Sequence, residues 1–234
     1  TVAEATSSFI DCRIIEPGRI RVGFRNVRNP LGIYPVSKTE EAKALLNQMG
    51  YPFEYLGSVI EAALHNPNMM VHTVGAVMSI PRIENTNGNY GMYNEVFTPS
   101  VWKILEALDK EKMDVIEHFG LERISYVDMA KFRNSLDETI DAKESFFNYA
   151  MMPTRAIGPT KVDSRYITED VPQGIVMLEA LGKSLDIPTP IASSLIEIAS
   201  AALGRDLRLE GRTPDTLGQE NIDAIIQDTK EQQA

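Results

Sequence analysis

The chain has 234 residues, of which 43% are hydrophobic, and carries a net charge of -10 at pH 7. Its length and apolar content allow a full buried core, which excludes disorder, and its acidity argues against a non-specific hold on nucleic acid or an anionic membrane. No apolar run approaches the ~18 residues of a membrane span. Cys12 is the single cysteine, so an intrachain disulfide is excluded and no metal-site spacing is present. The expected compartment is the cytoplasm. Thr1 in place of Met indicates processing or a start within a longer protein.

The first fifty residues carry the strand signals. Alternating segments rich in β-branched and aromatic residues flank Pro17 and Gly18, which together predict a tight turn, and Gly50 is a helix stop. The predicted elements are a hairpin of residues 8–15 and 19–28, a strand over 31–35 and a helix over 39–49.

Beyond Tyr51, helical periodicity replaces the strand signals. Two Thr-Pro pairs, each an N-cap residue followed by a first-turn proline, open helices that end at a glycine. Helices are predicted over 99–119, 190–203, 125–134, 136–150 and 172–184. The chain is therefore predicted to be mainly α, with an all-helical domain of six to eight helices over 54–234. Residues 1–53 are predicted to be the C-terminal end of an α/β domain.

Three side chains have the chemistry needed to hold a 2-oxo acid and move a proton at its carbonyl. His72 is flanked by apolar residues and follows Asn68 by four positions, so both project from the same helix face. Arg165 is a fixed cation that can grip a carboxylate with two hydrogen bonds. Asp170, five residues later, precedes Val171-Pro172, where proline indicates a helix start.

Each of these residues also has an ordinary structural interpretation. His72 is compatible with a buried histidine that makes one hydrogen bond, Asp170 with a plain helix cap, and Arg165 with a solvated surface residue. Asn68, after Pro67, fits an N-cap, and Glu169 competes with Asp170 as the functional carboxylate. The other two histidines, His65 and His118, are interpreted as structural.

Several segments, in this order and spacing, resemble the opine dehydrogenases (the octopine/nopaline dehydrogenase family). The segments are AEATSSFIDCR, NPNMMVHTVG, TPSVWKILEALDKEKMDVIEHFGL, RYITEDVP, IPTPIASSLIEIASAALGRDL and EGRTPDTLG. Together they cover nearly the whole chain. The resemblance implies the helical substrate domain of an enzyme that reductively joins a 2-oxo acid to an amino acid with NAD or NADP, preceded over 1–53 by the end of a Rossmann-type domain.

The resemblance also implies roles for individual residues. His72 matches the family's catalytic histidine, and Asp170 matches the aspartate that accepts its hydrogen bond. Arg165 matches the cation that orients the 2-oxo acid. Asn68 is expected to contact substrate or the nicotinamide amide, and Glu4 the amino group of the amino-acid substrate.

The sequence contains no G-x-G-x-x-G turn, which a dinucleotide domain of this kind needs. NAD or NADP is therefore expected to be bound mainly by a Rossmann domain absent from these residues, and this chain alone is expected to be inactive. Two alternatives stay open: a ketopantoate-reductase-like or hydroxyacid-dehydrogenase-like oxidoreductase domain, and a non-enzymatic helical dimerisation module. Exposed strand edges near the N-terminus favour self-association, including a homodimer.

Overall fold

Strands occupy the start of the chain and helices the rest. The computed structural model describes residues 1–152 and 158–231, and within that part every strand lies between Val2 and Tyr55. The strands are β1 (Val2–Ala5), β2 (Ile10–Glu16), β3 (Arg19–Arg25), β4 (Asn29–Tyr34) and β5 (Phe53–Tyr55). The fold is mainly α with a short β-containing segment first, as predicted.

The helices follow one another with short connections. The α-helices are α1 (Thr39–Leu46), α2 (Val59–Leu64), α3 (Pro67–Met78), α4 (Ile80–Thr86), α5 (Pro99–His118), α6 (Tyr126–Asn134), α7 (Ala142–Ala150), α8 (Arg165–Thr168), α9 (Val176–Ser184), α10 (Pro190–Leu203), α11 (Pro214–Leu217) and α12 (Gln219–Glu231). Two segments, Met92–Val96 and Val171–Ile175, are π-helical. In the described part, eleven α-helices follow residue 54, more than the six to eight predicted, because several are only one or two turns long.

The strands form two separate sheets. In the first, β4 lies between β1, to which it is antiparallel, and β5, to which it is parallel. In the second, β2 and β3 form the predicted antiparallel hairpin, and Gly18 adopts the left-handed conformation (φ +80°) in its turn. Strand β5 was missed by the sequence prediction because three residues carry too little alternation to reveal it. The division at residues 53 and 54 stays a prediction.

Two long helices begin at the predicted prolines and end just before the predicted glycines, but the side-chain capping expected of their threonines is absent. Gly120 and Gly204 both have positive φ just past α5 and α10. Thr98 and Thr189 hold the N-cap positions, yet neither side chain makes a capping hydrogen bond. At α10 the cap comes from Glu111 of α5, whose carboxylate accepts the N–H groups of Ile191 (2.6 Å) and Ala192 (2.9 Å).

The other predicted helices differ in extent. The one over 125–134 matches α6. The one over 136–150 is confirmed only from Ala142, because the residues before it form a turn held by Asp137 and because Asp141 is the N-cap of α7. The one over 172–184 is a π-helical turn that continues into α9.

Helix α3 lies at the centre of the helical core. All its residues are buried except Asn68, His72 and Met78. It packs against α5, α8, α10 and the π-helical segment Val171–Ile175. A helix that is apolar on nearly every side must be enclosed by other elements. The surrounding helices therefore restrict the two polar side chains of α3 that are only partly buried, Asn68 and His72. Within the described residues, no helix has the length and apolarity to cross a membrane.

Candidate functional site

The site begins at the start of α3. Asn66 is the N-cap, and its side-chain oxygen accepts the N–H of Asn68 at 3.0 Å, with Pro67 in the first turn. Asn68 is therefore inside the helix, and its interpretation as the cap was wrong by two residues. Its half-buried side chain lies one turn before His72 on the same face.

His72 and Asp170 are brought together across 98 positions of sequence. Nδ1 of His72 lies 2.8 Å from Oδ2 of Asp170, and the two side chains are 15% and 12% exposed. A carboxylate only accepts hydrogen bonds, so Nδ1 is the donor and Nε2 is left for another partner. This arrangement fixes the tautomer and orientation of the imidazole.

Asp170 holds the N-cap position of the π-helical segment Val171–Ile175, as one interpretation of the sequence predicted, but its side chain does not act as a cap. Its backbone is helical (φ -71°, ψ -30°), between α8 and the π-helical segment, and its side chain caps no backbone N–H. The carboxylate is thus committed to the histidine.

Tyr166 forms one face of the site. Its ring is stacked on the imidazole of His72, with centroids 3.8 Å apart and planes 6° from parallel. The stacking adds to the effect of the hydrogen bond, because it restricts rotation of the imidazole ring about its Cβ–Cγ bond. Sequence analysis did not identify Tyr166 as a site residue, although it lies within the RYITEDVP motif.

Gly174 allows the two halves of the site to approach each other. A Cβ on Gly174 would lie 2.8 Å from Cγ and 2.9 Å from Cβ of Met69, closer than real side chains pack. Met69 is buried on α3 one turn before His72, and Gly174 lies one turn after Asp170. The bare glycine backbone therefore allows the segment after Asp170 to approach α3 this closely.

Arg165 lies beside this pair but is bound to a different carboxylate. Its Nη2 donates to Oε1 of Glu169 at 2.9 Å, and its Nε donates to Oε2 of the same residue. The side chains are 82% and 48% exposed. The hydrogen bond from Arg165 lowers the pKa of Glu169, and His72 adds to that effect. The two competing carboxylates are thus divided, Asp170 to the histidine and Glu169 to the arginine.

Glu4 lies near the start of the chain, in the three-stranded sheet. It lies on β1 opposite Gly32 of β4 and is half-buried. Among the described residues, no hydrogen bond or ion pair connects Glu4 or Asn68 to the His72 and Asp170 pair.

The two remaining histidines differ from His72. Burial of His65, at 4% exposure, lowers its pKa to about 3, with nearby Lys112 contributing, so the ring stays neutral. His118 ends α5 and is exposed. In the described part of the chain, His72 is the histidine that pairs with a carboxylate, and no cluster of residues there has the make-up of a metal site.

The family model for the alpha-helical domain of NAD/NADP octopine/nopaline dehydrogenase matches residues 55–203. That match covers more than half of the chain, which therefore belongs to the opine dehydrogenase family.

Individual relatives agree with this assignment. An opine dehydrogenase of Arthrobacter sp. (strain 1C) is 25% identical over 229 residues, covering 96% of this chain and 62% of the relative. A vitopine synthase of Allorhizobium ampelinum is 26% identical over 222 residues, covering 91% of this chain and 58% of the relative. The chain thus spans about three fifths of the length of these relatives.

Solved structures show the same fold. Yersinopine dehydrogenase without ligand superposes with a TM-score of 0.62 at 16% identity, covering 99% of this chain and 66% of the other. Octopine dehydrogenase with NADH and L-arginine gives a TM-score of 0.59 at 17% identity, covering 96% and 64%.

Proposed function

We propose that this chain is the substrate and catalytic domain of an opine dehydrogenase. The overall reaction joins a 2-oxo acid to an amino acid and consumes NAD(P)H and a proton, giving an N-(1-carboxyalkyl) amino acid, NAD(P)⁺ and water. The hydrogen-bonded pair of His72 and Asp170 carries the proposal. The family membership of the chain supports it.

In this proposal His72 moves protons at the carbonyl of the 2-oxo acid. With Nδ1 tied to Asp170, Nε2 donates one proton to the carbonyl oxygen as the amine nitrogen bonds to the carbon. A second proton, from the amine nitrogen, completes the water that leaves, and the carbon–oxygen bond is replaced by the carbon–nitrogen double bond of an iminium. Asp170 stabilises the imidazolium form in which His72 is able to donate, as an oriented carboxylate does in other acid/base pairs. Tyr166 keeps the ring in one orientation while the proton is transferred.

Arg165 is proposed to bind the carboxylate of the 2-oxo acid. A guanidinium retains its proton and presents paired N–H groups, so it fixes the carboxylate and thereby the carbonyl next to it. Asn68, on the same face of α3 as His72, is proposed to contact substrate or the nicotinamide amide. Glu4 is proposed to bind the amino group of the amino acid.

The residues of this chain do not themselves fit a dinucleotide. No glycine-rich turn is present to receive a pyrophosphate. Among solved structures with the same fold, yersinopine dehydrogenase has NADP⁺ bound and octopine dehydrogenase is in complex with NADH. We place the cofactor mainly on a Rossmann domain outside these residues, which fits the two fifths of the relatives' length that the chain does not match.

The test is substitution of His72 in the full-length enzyme. His72→Ala is expected to lower the rate by about 10²- to 10⁴-fold, the usual contribution of a general acid/base. Steady-state oxidation of NADH and of NADPH with pyruvate and a panel of amino acids measures it. His118→Ala, at an exposed position far along α5, is the matched control and should retain the wild-type rate. A His72→Ala enzyme with near-wild-type turnover would remove the catalytic role.

The same assay separates the proposal from its alternatives. An opine dehydrogenase needs the amino acid for cofactor oxidation, whereas a hydroxyacid-dehydrogenase-like enzyme reduces the 2-oxo acid without an amine. A helical dimerisation module would oxidise no cofactor with either.

A further inference from the structure

Arg165 already holds a carboxylate in the manner that a 2-oxo acid would require. Both oxygens of Glu169 are engaged, one by Nε and one by Nη2 of the guanidinium. This two-contact pairing is the one in which arginine recognises a carboxylate ligand. Since α8 continues in helical backbone through Glu169, the partner lies one turn from Arg165.

We infer that Glu169 is a specificity-determining residue that occupies the carboxylate-binding edge of Arg165 in the free enzyme, so that an incoming 2-oxo acid must displace it. The inference rests on the proposed function of Arg165. Asp170 does not compete for the same edge, because its carboxylate is bound to His72. A ligand that lacks a carboxylate cannot replace Glu169, so Arg165 stays bound to Glu169.

The exchange costs little, because the ion pair is exposed. The Arg165 side chain is 82% and the Glu169 side chain 48% accessible to solvent, and the two lie four positions apart on one helical turn. Pairs of this kind contribute weakly to stability. Loss of the competitor should therefore tighten carboxylate binding by a factor of about 2 to 5.

The arginine can be observed directly. In the full-length protein labelled with ¹⁵N, the Nε–H resonance of Arg165, assigned by its loss in Arg165→Lys, is followed as pyruvate is added. Glu169→Gln keeps the size of the side chain and removes its charge, and it is expected to lower the pyruvate dissociation constant about 2- to 5-fold. The Michaelis constant for pyruvate should fall by the same factor, and that for the amino acid should not change.

The matched control is Glu210→Gln. Glu210 also meets an arginine, Arg205, with both carboxylate oxygens, at a partly exposed position in another segment. This variant should bind pyruvate with wild-type affinity.

Three outcomes oppose the inference. Equal pyruvate affinity in wild type and Glu169→Gln would show that pyruvate uses the Nη1 edge and would refute the role of Glu169 alone. An equal gain in Glu210→Gln would reduce the effect to net charge and refute it as well. Pyruvate that leaves the Arg165 resonance unmoved in every variant would refute both this inference and the assignment of Arg165 under the proposed function.

Discussion

Replacing Gly174 with alanine tests whether close backbone packing sets the geometry of the site. The new Cβ would lie 2.8 Å from Cγ and 2.9 Å from Cβ of Met69. Carbon atoms pack at roughly 3.5 Å or more, so the two segments must separate by about 0.7 Å to relieve the shorter contact. Both contacted atoms are close to the backbone of α3, so a simple side-chain rotation does not relieve them.

Two opposing free-energy changes decide the expected result. Overpacking a buried contact costs about 1–3 kcal/mol, while alanine in place of glycine in helical backbone returns up to about 1 kcal/mol. We therefore expect Gly174→Ala to lower the free energy of unfolding by about 1–2 kcal/mol. The 2.8 Å contact between His72 and Asp170 spans the same two segments, so it should lengthen and the rate should fall.

Denaturant unfolding of the wild type and the variant measures the stability change. Gly75→Ala, on the same helix α3, is the matched control. Its Cβ would meet Sδ of Met92 at 3.0 Å and Cε and Cγ at 3.2 Å, which are longer contacts than those of Gly174 and all lie on one unbranched side chain. The control should change the free energy of unfolding by less than about 1 kcal/mol. Equal stability of Gly174→Ala and wild type would refute the reasoning.

Three further predictions follow from single contacts. Arg165→Lys in the full-length enzyme should chiefly raise the Michaelis constant for the 2-oxo acid, because lysine cannot make the two-contact grip, and steady-state kinetics checks this. The hydrogen bond from Arg208, ahead of smaller contributions, lowers the pKa of Glu179 from 4.5 to about 2. This stabilisation is complete above pH 4.5 and is lost as the pH falls toward 2. Between these two pH values the free energy of unfolding of Glu179→Gln, measured by denaturant unfolding, should therefore decrease less steeply than that of the wild type. Glu111→Ala, which removes the cap of α10, should lower the unfolding free energy by about 1–2 kcal/mol, and Thr98→Ala, which removes no capping bond, by less than about 0.5 kcal/mol.

Local patterns predicted the elements whose causes are local. The hairpin around Gly18 and the glycine-terminated ends of α5 and α10 depend on residues within a few positions of one another. The prediction of the capping group of α10 was wrong because the group that caps this helix is distant in sequence. Glu111 lies 80 positions from Ile191, whose N–H group it caps. No window along the sequence contains both partners.

The candidate site divides in the same way. Residue types and the family resemblance singled out His72, Asp170 and Arg165, and the structure places the first two in contact, while their catalytic and binding roles stay predictions. The contributions of Tyr166 and Gly174 to the site could not be predicted from the sequence. Their roles depend on how α8 and the π-helical segment meet α3, and tertiary packing alone determines that.

The sequence left open which of two consecutive carboxylates serves the histidine, and helix geometry explains the outcome. Successive residues in a helix project about 100° apart. Glu169, four positions after Arg165, returns to the arginine's side of the turn, where its carboxylate is exposed. Asp170 is rotated by one further residue, toward α3, where its carboxylate is 12% exposed and meets His72. The buried carboxylate thus orients the imidazole, and the exposed carboxylate is the one that we propose a 2-oxo acid displaces from Arg165.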